Sequence, residues 1–295
     1  MESSDCCESF SGTDIKGHSL SSATTDVPIP QVDPLSATGV FRRTRQRAFD
    51  GLLYVGGLTD LAWQTIRETF RGPLETRLLI EQFDQIGVRS LSIVGITSLF
   101  IGMVLALQTA YSLEEFGGKL FIGKVVSLSL VRELGPVLMS LMVGGRVGAG
   151  MTAEIGTMKV TEQIDALRAL ATNPVRKLVV PKVLATTLMF PLLTIISCAV
   201  GIFGGLLIAV GNLHLNANFY LRSVIDTVKY NDLASGIGKT FFFGFAIGLI
   251  ACYNGLRTTG GADGVGRATT VTVVTGAITV LIMDFFLTKL FLLAF

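Results

Sequence analysis

Apolar residues in this chain are gathered into five long runs that shorter polar segments separate. A transmembrane helix needs about 20 apolar residues, each adding a rise of about 1.5 Å. The runs predict spans at about residues 90–113, 125–148, 183–211, 238–256 and 268–293. Charges within them are few and include Arg132 and Glu133 in the second run. The pattern therefore predicts an all-α integral membrane protein with five transmembrane helices.

The segment before the first run has an amphipathic pattern. Residues 41–86 begin with four arginines, after which leucine and isoleucine recur among charged positions. This is typical of elbow helices at a membrane surface, where Trp63 and Tyr54 suit the headgroup region. A soluble helix packed on a partner is the alternative. Residues 1–40 are rich in Ser, Thr, Asp and Pro and predict a disordered cytoplasmic tail.

A second amphipathic segment lies between the second and third runs, at about residues 152–170. Val160, Ile164 and Leu167 recur at helical spacing among acidic side chains. Such a helix can dock in a groove of a soluble partner. The alternative is a surface helix that touches only lipid headgroups.

Composition agrees with the membrane assignment, because the chain is 50% hydrophobic and only 16% charged. A soluble domain carries about 25% charged residues. The net charge of +2 indicates no nucleic-acid partner, and the 4 cysteines and 2 histidines lack ligand spacing, so we expect no metal and no cofactor. Basic residues gather before the first run and between the second and third. The positive-inside rule then predicts a cytoplasmic N-terminus and a C-terminus on the opposite side of the membrane, which the family resemblance given below would make the periplasm.

Arg132 and Glu133 are the candidate functional charges, since ionisable groups within a span usually face a cavity or a partner. Adjacent helical residues point about 100° apart, so the two need not pair with each other. They line a substrate cavity or a subunit interface in one interpretation. In the other they form a structural ion pair with Asp284 or Lys289.

Gly238-Lys239-Thr240 resembles the end of a phosphate-binding loop. The full pattern requires glycine where Leu233 stands, and a membrane span follows. We therefore expect no nucleotide binding by this chain, and the absence of other catalytic motifs argues against an intramembrane enzyme.

Four motifs resemble one family. They are LVRELGP at 130–136, GGRVGAGMTAEIGTMKVTEQIDAL at 144–167, FIGMVLALQ at 100–108 and GVGRATTVTVV at 264–274. From about residue 45 to the C-terminus, the chain resembles the MlaE/YrbE permeases of ABC transporters. These move lipids between the membranes of Gram-negative bacteria and have a relative in plant plastids.

The resemblance implies an MlaE-like permease domain over residues 87–295, working as a homodimer in the bacterial inner membrane. It implies a cytoplasmic ABC ATPase that hydrolyses ATP and a periplasmic MCE-domain protein as partners. The cargo would be phospholipid moved between inner and outer membranes, which maintains outer-membrane lipid asymmetry. A membrane scaffold for the ring and ATPase, or a permease for sterols or organic solvents, are the alternatives.

The resemblance also assigns residues. The substrate cavity near the dimer interface is expected to involve Arg132, Glu133, Leu105 and Leu138. A coupling helix between the second and third spans would engage the ATPase. Its contact residues are expected to be Glu154, Met158, Thr161, Glu162, Gln163, Asp165 and Leu167.

Overall fold

A computed structural model describes residues 37–71, 76–114 and 118–294 of the 295-residue chain. Within these ranges the regular structure is helical and contains no strand. The predicted disorder of residues 1–40 falls mostly outside the described residues. By its internal contacts the chain divides into two units, Met1–Asp50 and Gly51–Phe295. The membrane bundle and the candidate site lie within the second unit.

Ten α-helices follow one another along the described ranges. They are α1 (Ala37–Phe70), α2 (Thr76–Ile86), α3 (Leu91–Glu114), α4 (Ile122–Ser129), α5 (Gly135–Val160), α6 (Gln163–Ala169), α7 (Val180–Gly211), α8 (Ala217–Thr227), α9 (Tyr230–Leu256) and α10 (Gly261–Ala294). Two π-helical segments interrupt this order. Leu130–Leu134 joins α4 to α5, and Val175–Val179 leads into α7.

Five helical stretches are long and apolar enough to cross a membrane, which confirms the predicted all-α membrane fold. They are Thr76–Leu113, Ile122–Val160, Val175–Gly211, Tyr230–Leu256 and Gly261–Leu293. Because successive crossings alternate in direction, α6 and the turn between α9 and α10 lie at one end of the bundle. The helix α8 and the end of α10 lie at the other. We call these the α6 end and the α8 end.

The centre of the bundle is an apolar core in which α3, α5, α7, α9 and α10 meet. Its buried side chains include Val94, Val143, Phe190, Phe243 and Val280. Helices α7 and α9 touch through their backbones, since a Cβ at Gly244 would lie 2.6 Å from Thr186 O. Small residues at such crossings are typical of helix packing in lipid.

Helix α1 is attached to the bundle at the α6 end through Tyr54. Its hydroxyl donates to Asn254 Oδ1 at 3.1 Å, and its ring meets that of Tyr253 edge to face, with centroids 5.0 Å apart. Burial raises the pKa of Tyr54, so the phenol stays a neutral donor at physiological pH. Leu52, Trp63 and Phe70 are exposed on other faces of α1, and the interfacial position predicted for this helix stays a prediction.

The segment predicted as one coupling helix at about 152–170 is divided in the structure. Helix α5 continues through Val160, because no proline or left-handed residue interrupts its hydrogen bonds before that point. The chain turns at Glu162, whose φ of 61° is left-handed, and α6 then covers only Gln163–Ala169. Glu154 and Met158 therefore belong to the membrane-crossing helix and not to α6.

The exit from α6 is strained at Ala171, which has a φ of 55°. The left-handed conformation costs a residue with a Cβ about 1–2 kcal/mol, a cost that glycine avoids. We expect Ala171→Gly to raise the free energy of unfolding by up to about 1 kcal/mol. The matched control is Ala169→Gly, within α6, which should lower it by roughly 0.5–1 kcal/mol. Thermal unfolding in detergent measures both, and shifts of the same sign would contradict the assigned backbone.

Candidate functional site

The candidate site is built on the π-helical turn that carries Arg132 and Glu133. The Gly135 N–H donates to Leu130 O, one residue further back than an α-helix would place the acceptor. Helix α9 approaches this turn at Gly236, where any Cβ would overlap with Val131 O. Single π turns are rare and frequently occur at functional sites. The widened turn therefore brings both charged side chains toward α9.

Arg132 pairs with Asp232 at the start of α9. Its Nε donates to Asp232 Oδ1 at 2.7 Å, and its Nη2 contacts the same oxygen. The other carboxylate oxygen of Asp232 accepts from the Lys229 N–H at 3.1 Å and so caps α9. Asp232 is buried, whereas the Arg132 side chain is about half exposed at 49%. The guanidinium is thus held in place with donors still turned toward open space.

Lys239 is the centre of the second half of the site. Its Nζ donates to Glu133 Oε2 at 2.7 Å and to Thr288 Oγ1 at 2.6 Å. Asp284 Oδ1 lies 3.2 Å from the same nitrogen, an ion-pair contact outside hydrogen-bond geometry. Only 2% of the Lys239 side chain is exposed. A buried ammonium requires this kind of pairing, because an isolated charge in the interior is very costly.

A backbone acceptor completes the surroundings of Lys239. Its Nζ also donates to Arg132 O at 3.2 Å. In an α-helix that carbonyl would accept from the N–H of residue 136, which is Pro136 and has no N–H. The RELGP sequence therefore frees a carbonyl that the lysine of α9 uses.

The five charged groups are arranged as two cations and three carboxylates. Arg132 and Lys239 face Asp232, Glu133 and Asp284, and exposed Lys229 lies beside them. The groups come from α9, α10 and the π turn, so the cluster joins three membrane-crossing helices near the α8 end. Lys239 is nine residues from the start of α9, about 13 Å into that helix.

An open cavity of about 630 Å³ borders this cluster. Its lining combines polar side chains with apolar walls: Leu128, Ser129, Arg132, Glu133, Lys229, Asn231, Asp232, Ser235, Lys239, Thr288, Phe291 and Leu292. A second cavity of about 510 Å³ lies against the outer face of α10 and is mostly apolar. The two cavities share Glu133, Thr288 and Leu292. A polar cavity and a mostly apolar surface cavity are thus neighbours at α10.

The structure brings together only part of the predicted cavity set. Arg132 and Glu133 line the larger cavity. Leu138 lines a separate cavity of only about 10 Å³ between α3 and α5, and Leu105 packs beside the buried Ala106 and Ile122. Within the described residues of one chain, these leucines do not line the polar cavity, and their contact with cargo stays a prediction.

Helix α6 has one buried residue and an exposed polar surface. Ile164 is 0% exposed and packs with Ile155, Val179 and Val183 at the α6 end. The side chains left on the surface are Thr161, Glu162, Gln163 and Asp165, with Leu167 half-buried. Asp165 is paired with Lys159 at 2.8 Å and with Arg168 at 3.2 Å. The hydrogen bond from Lys159 lowers the pKa of Asp165 below its ordinary value of 3.8.

Two of the predicted coupling residues lie elsewhere. Glu154 Oε2 accepts from the buried Lys182 at 2.6 Å, and Met158 packs against the apolar cluster around Ile164. Both side chains lie on α5, above the turn that leads to α6. Their direct contact with an ATPase stays a prediction, and Glu154 has a clear partner inside this chain.

Asp232 and Lys239 are site residues that the sequence alone does not identify. Asp232 lies at the edge of an apolar run, and Lys239 belongs to a motif that resembles the end of a phosphate-binding loop. The available signal was that the second, fourth and fifth runs each carry a charge near the same end of the bundle. Charges at one depth on different spans are expected to pair.

Comparisons with known proteins identify the family of this chain. The family model described as Permease MlaE matches residues 79–290. A probable ABC transporter permease protein of Rickettsia felis is 44% identical over 237 residues, covering 80% of this chain and 92% of the relative. One from Synechocystis sp. is 44% identical over 230 residues, covering 78% and 88%. The chloroplastic protein TRIGALACTOSYLDIACYLGLYCEROL 1 of Arabidopsis thaliana is 35% identical over 231 residues, covering 78% and 66%.

Proposed function

This chain belongs to the MlaE permease family and is the membrane subunit of an ABC transporter, and we propose that its cargo is phospholipid. Membership implies an ATPase partner, so the chain is a transporter subunit rather than an enzyme. In the proposal, it carries phospholipid between the inner and outer membranes of a Gram-negative bacterium. Lipid asymmetry of the outer membrane would depend on this movement.

The observation that carries the proposal is the pair of neighbouring cavities. The larger has the half-exposed Arg132 guanidinium and exposed Lys229 on its wall. Arginine is well suited to bind phosphate oxygens, often through two parallel hydrogen bonds. The smaller is lined mainly by Leu281, Phe285, Leu292 and Leu293. A charged headgroup in the first cavity and an acyl chain in the second match this division.

The name of one relative supports a lipid cargo. The Arabidopsis protein is named for trigalactosyldiacylglycerol, a glycolipid. Its 35% identity extends over 231 residues. This similarity supports the proposed lipid cargo, and the phosphate preference is proposed from the arginine and lysine.

Energy would enter at the α6 end. Gln163 and Asp165 of α6 lie at the surface, as does Glu162 in the turn before it, while Ile164 anchors the helix to the bundle. In the proposed orientation the N-terminus and α6 face the cytoplasm, where the ATPase binds, and the C-terminus faces the periplasm. The polar cavity near the α8 end then opens toward a periplasmic MCE-domain protein, and a second copy of the chain completes the passage.

The test uses the intact transporter complex with a photoreactive amino acid at Leu128 of the cavity wall. The sample is incubated with radiolabelled phospholipid in nanodiscs and irradiated. A matched probe at Ile278, exposed on α10 outside both cavities, reports surrounding lipid. We expect labelling at Leu128 that falls severalfold in Arg132→Gln and is unchanged by that substitution at Ile278.

Two other outcomes have defined meanings. Labelling at Ile278 but none at Leu128 would overturn the cargo site and favour a membrane scaffold that holds no lipid. Preferential labelling at Leu128 by a photoreactive sterol, with no competition from phospholipid, would assign another hydrophobic cargo. Probes at Leu105 and Leu138 extend the same measurement to the two leucines that lie away from the cavity.

A further inference from the structure

The polar contact at Lys182 joins three helices far from the cavities. Lys182 Nζ donates to Glu154 Oε2 at 2.6 Å and to Gln82 Oε1 at 3.4 Å. These residues lie on α7, α5 and α2. Only 3% of the Lys182 side chain is exposed, compared with 47% for Glu154. We call Glu154, Lys182 and Gln82 the Lys182 node.

The node lies on the same continuous helix as the candidate site. The stretch Ile122–Val160 is one helical rod that carries Glu133 near one end and Glu154 near the other. About 30 Å of helix separates these two residues. The rod then turns at Glu162 into α6. The Lys182 node therefore lies along α5 between α6 and the cavity.

We propose that Glu154 is a positioning residue that makes the rod move together with α7 and α2, and this rests on the proposed function. Side-chain packing alone lets helices slide past one another, whereas a buried ammonium holds its carboxylate partner firmly, because separation leaves an unpaired charge. With the node intact, displacement of α6 moves α5 together with α7, and α7 packs on α9, which carries the opposite wall of the cavity. Without it, α5 slides past α7, so α9 moves less and the cavity changes shape less.

This role differs from a contact with the ATPase. The Glu154 carboxylate is directed to Lys182 within the chain, and α6 begins nine residues later. Neutralising Glu154 should therefore leave ATPase binding intact. Neutralising Glu154 should change only how strongly the cavity responds to movement of α6.

The experiment compares Glu154→Gln with Glu81→Gln in the intact transporter complex. Glu81 is a neighbouring exposed carboxylate of α2 and pairs, among the described residues, with exposed Arg77 at 3.5 Å. An environment-sensitive fluorophore is attached at Ser129→Cys on the cavity wall after Cys6 and Cys7 are replaced by serine. Cys198 and Cys252 are buried. Trapping the ATPase with ADP and vanadate should shift the fluorescence in the parent and in Glu81→Gln.

In Glu154→Gln we expect normal ATPase co-purification and hydrolysis, with the fluorescence response reduced about tenfold, a typical size for lost coupling. Exchanging the charges with Glu154→Lys and Lys182→Glu should restore part of the response, which a loss of contact with the ATPase would not allow. Gln82→Ala, a milder change, should reduce the response less.

Two results would overturn the inference. Loss of the ATPase from Glu154→Gln would make Glu154 a docking residue, and an unchanged fluorescence response would make the ion pair purely structural. The readout needs no cargo, so it stands or falls separately from the phospholipid assignment. If Leu128 labelling failed while the fluorescence result held, the coupling role would survive and the cargo proposal would not.

Discussion

Replacing Lys239 with methionine is expected to abolish ATP-dependent transport and to destabilise the protein. The substitution keeps the volume of the side chain but leaves Glu133 and Asp284 without their shared cation. Removing one partner of a buried ion pair costs about 3–5 kcal/mol. Because the Glu133 side chain is 43% exposed, water offsets part of this, and we expect the lower end of that range. Thermal unfolding in detergent and transport by the reconstituted complex measure the two effects.

The matched control is Lys124→Met, an exposed lysine of α4 outside the cavity lining. This substitution should change neither the thermal unfolding of the protein nor transport by the reconstituted complex. Lys239→Arg keeps the charge and should retain more stability than methionine, although its planar group cannot reproduce three hydrogen bonds from one nitrogen. If Lys239→Met were as stable and active as the parent, the pairing of Lys239 with Glu133 and Asp284 would contribute to neither stability nor transport.

The second large effect is expected from reversing two charges on α6. Glu162→Lys combined with Asp165→Lys changes the local charge by four units and breaks the pairs of Asp165 with Lys159 and Arg168. We expect the ATPase to dissociate from the membrane fraction, with at least about a hundredfold loss of affinity, since like charges at an interface cost several kcal/mol. Co-purification with the tagged permease is the measurement.

A control is needed because the substitutions also remove local ion pairs. Asp226→Lys reverses a charge on the exposed last turn of α8, at the opposite end of the bundle, and should keep the ATPase bound. Asp165 stays ionised above its lowered pKa, so its contribution is present at neutral pH and is lost only as pH falls through that value. Docking should thus be constant between about pH 6 and 8. Full ATPase retention by the α6 variant would remove this helix as the docking site.

The spans were predictable because the run of apolar residues needed to cross a membrane is visible locally. Arg132 and Glu133 were predictable as site residues for the same reason, as charges inside an apolar run. Their partners were not, since Asp232 and Lys239 are about 100 residues away in sequence. Pairing over that distance depends on which way each helix face is turned. The π turn adds one residue to the helical turn and so changes the direction of the side chains. The sequence LVREL gives no local sign of this turn.

Glu154 shows a different limit. Its amphipathic surroundings predict a surface helix at about 152–170, whereas the structure puts Glu154 on α5, before the turn into α6. Its partner, the buried Lys182, follows Pro181 at the start of another apolar run. A basic residue at that position is predicted to lie exposed in a loop. Burial of Lys182 follows only from how α2, α5 and α7 pack together, and that packing assigned Glu154 an internal partner.

The two cavities are divided by a septum of three side chains, Glu133, Thr288 and Leu292. Lys239 holds the first two of these side chains through hydrogen bonds, so exchange between the cavities requires a helix shift, which takes microseconds or longer, and not a rotamer change alone. The smaller cavity lies on the outer face of α10 and stays open between such shifts. Small hydrophobic inhibitors should therefore enter it at any stage of turnover but reach the polar cavity only when the helices move.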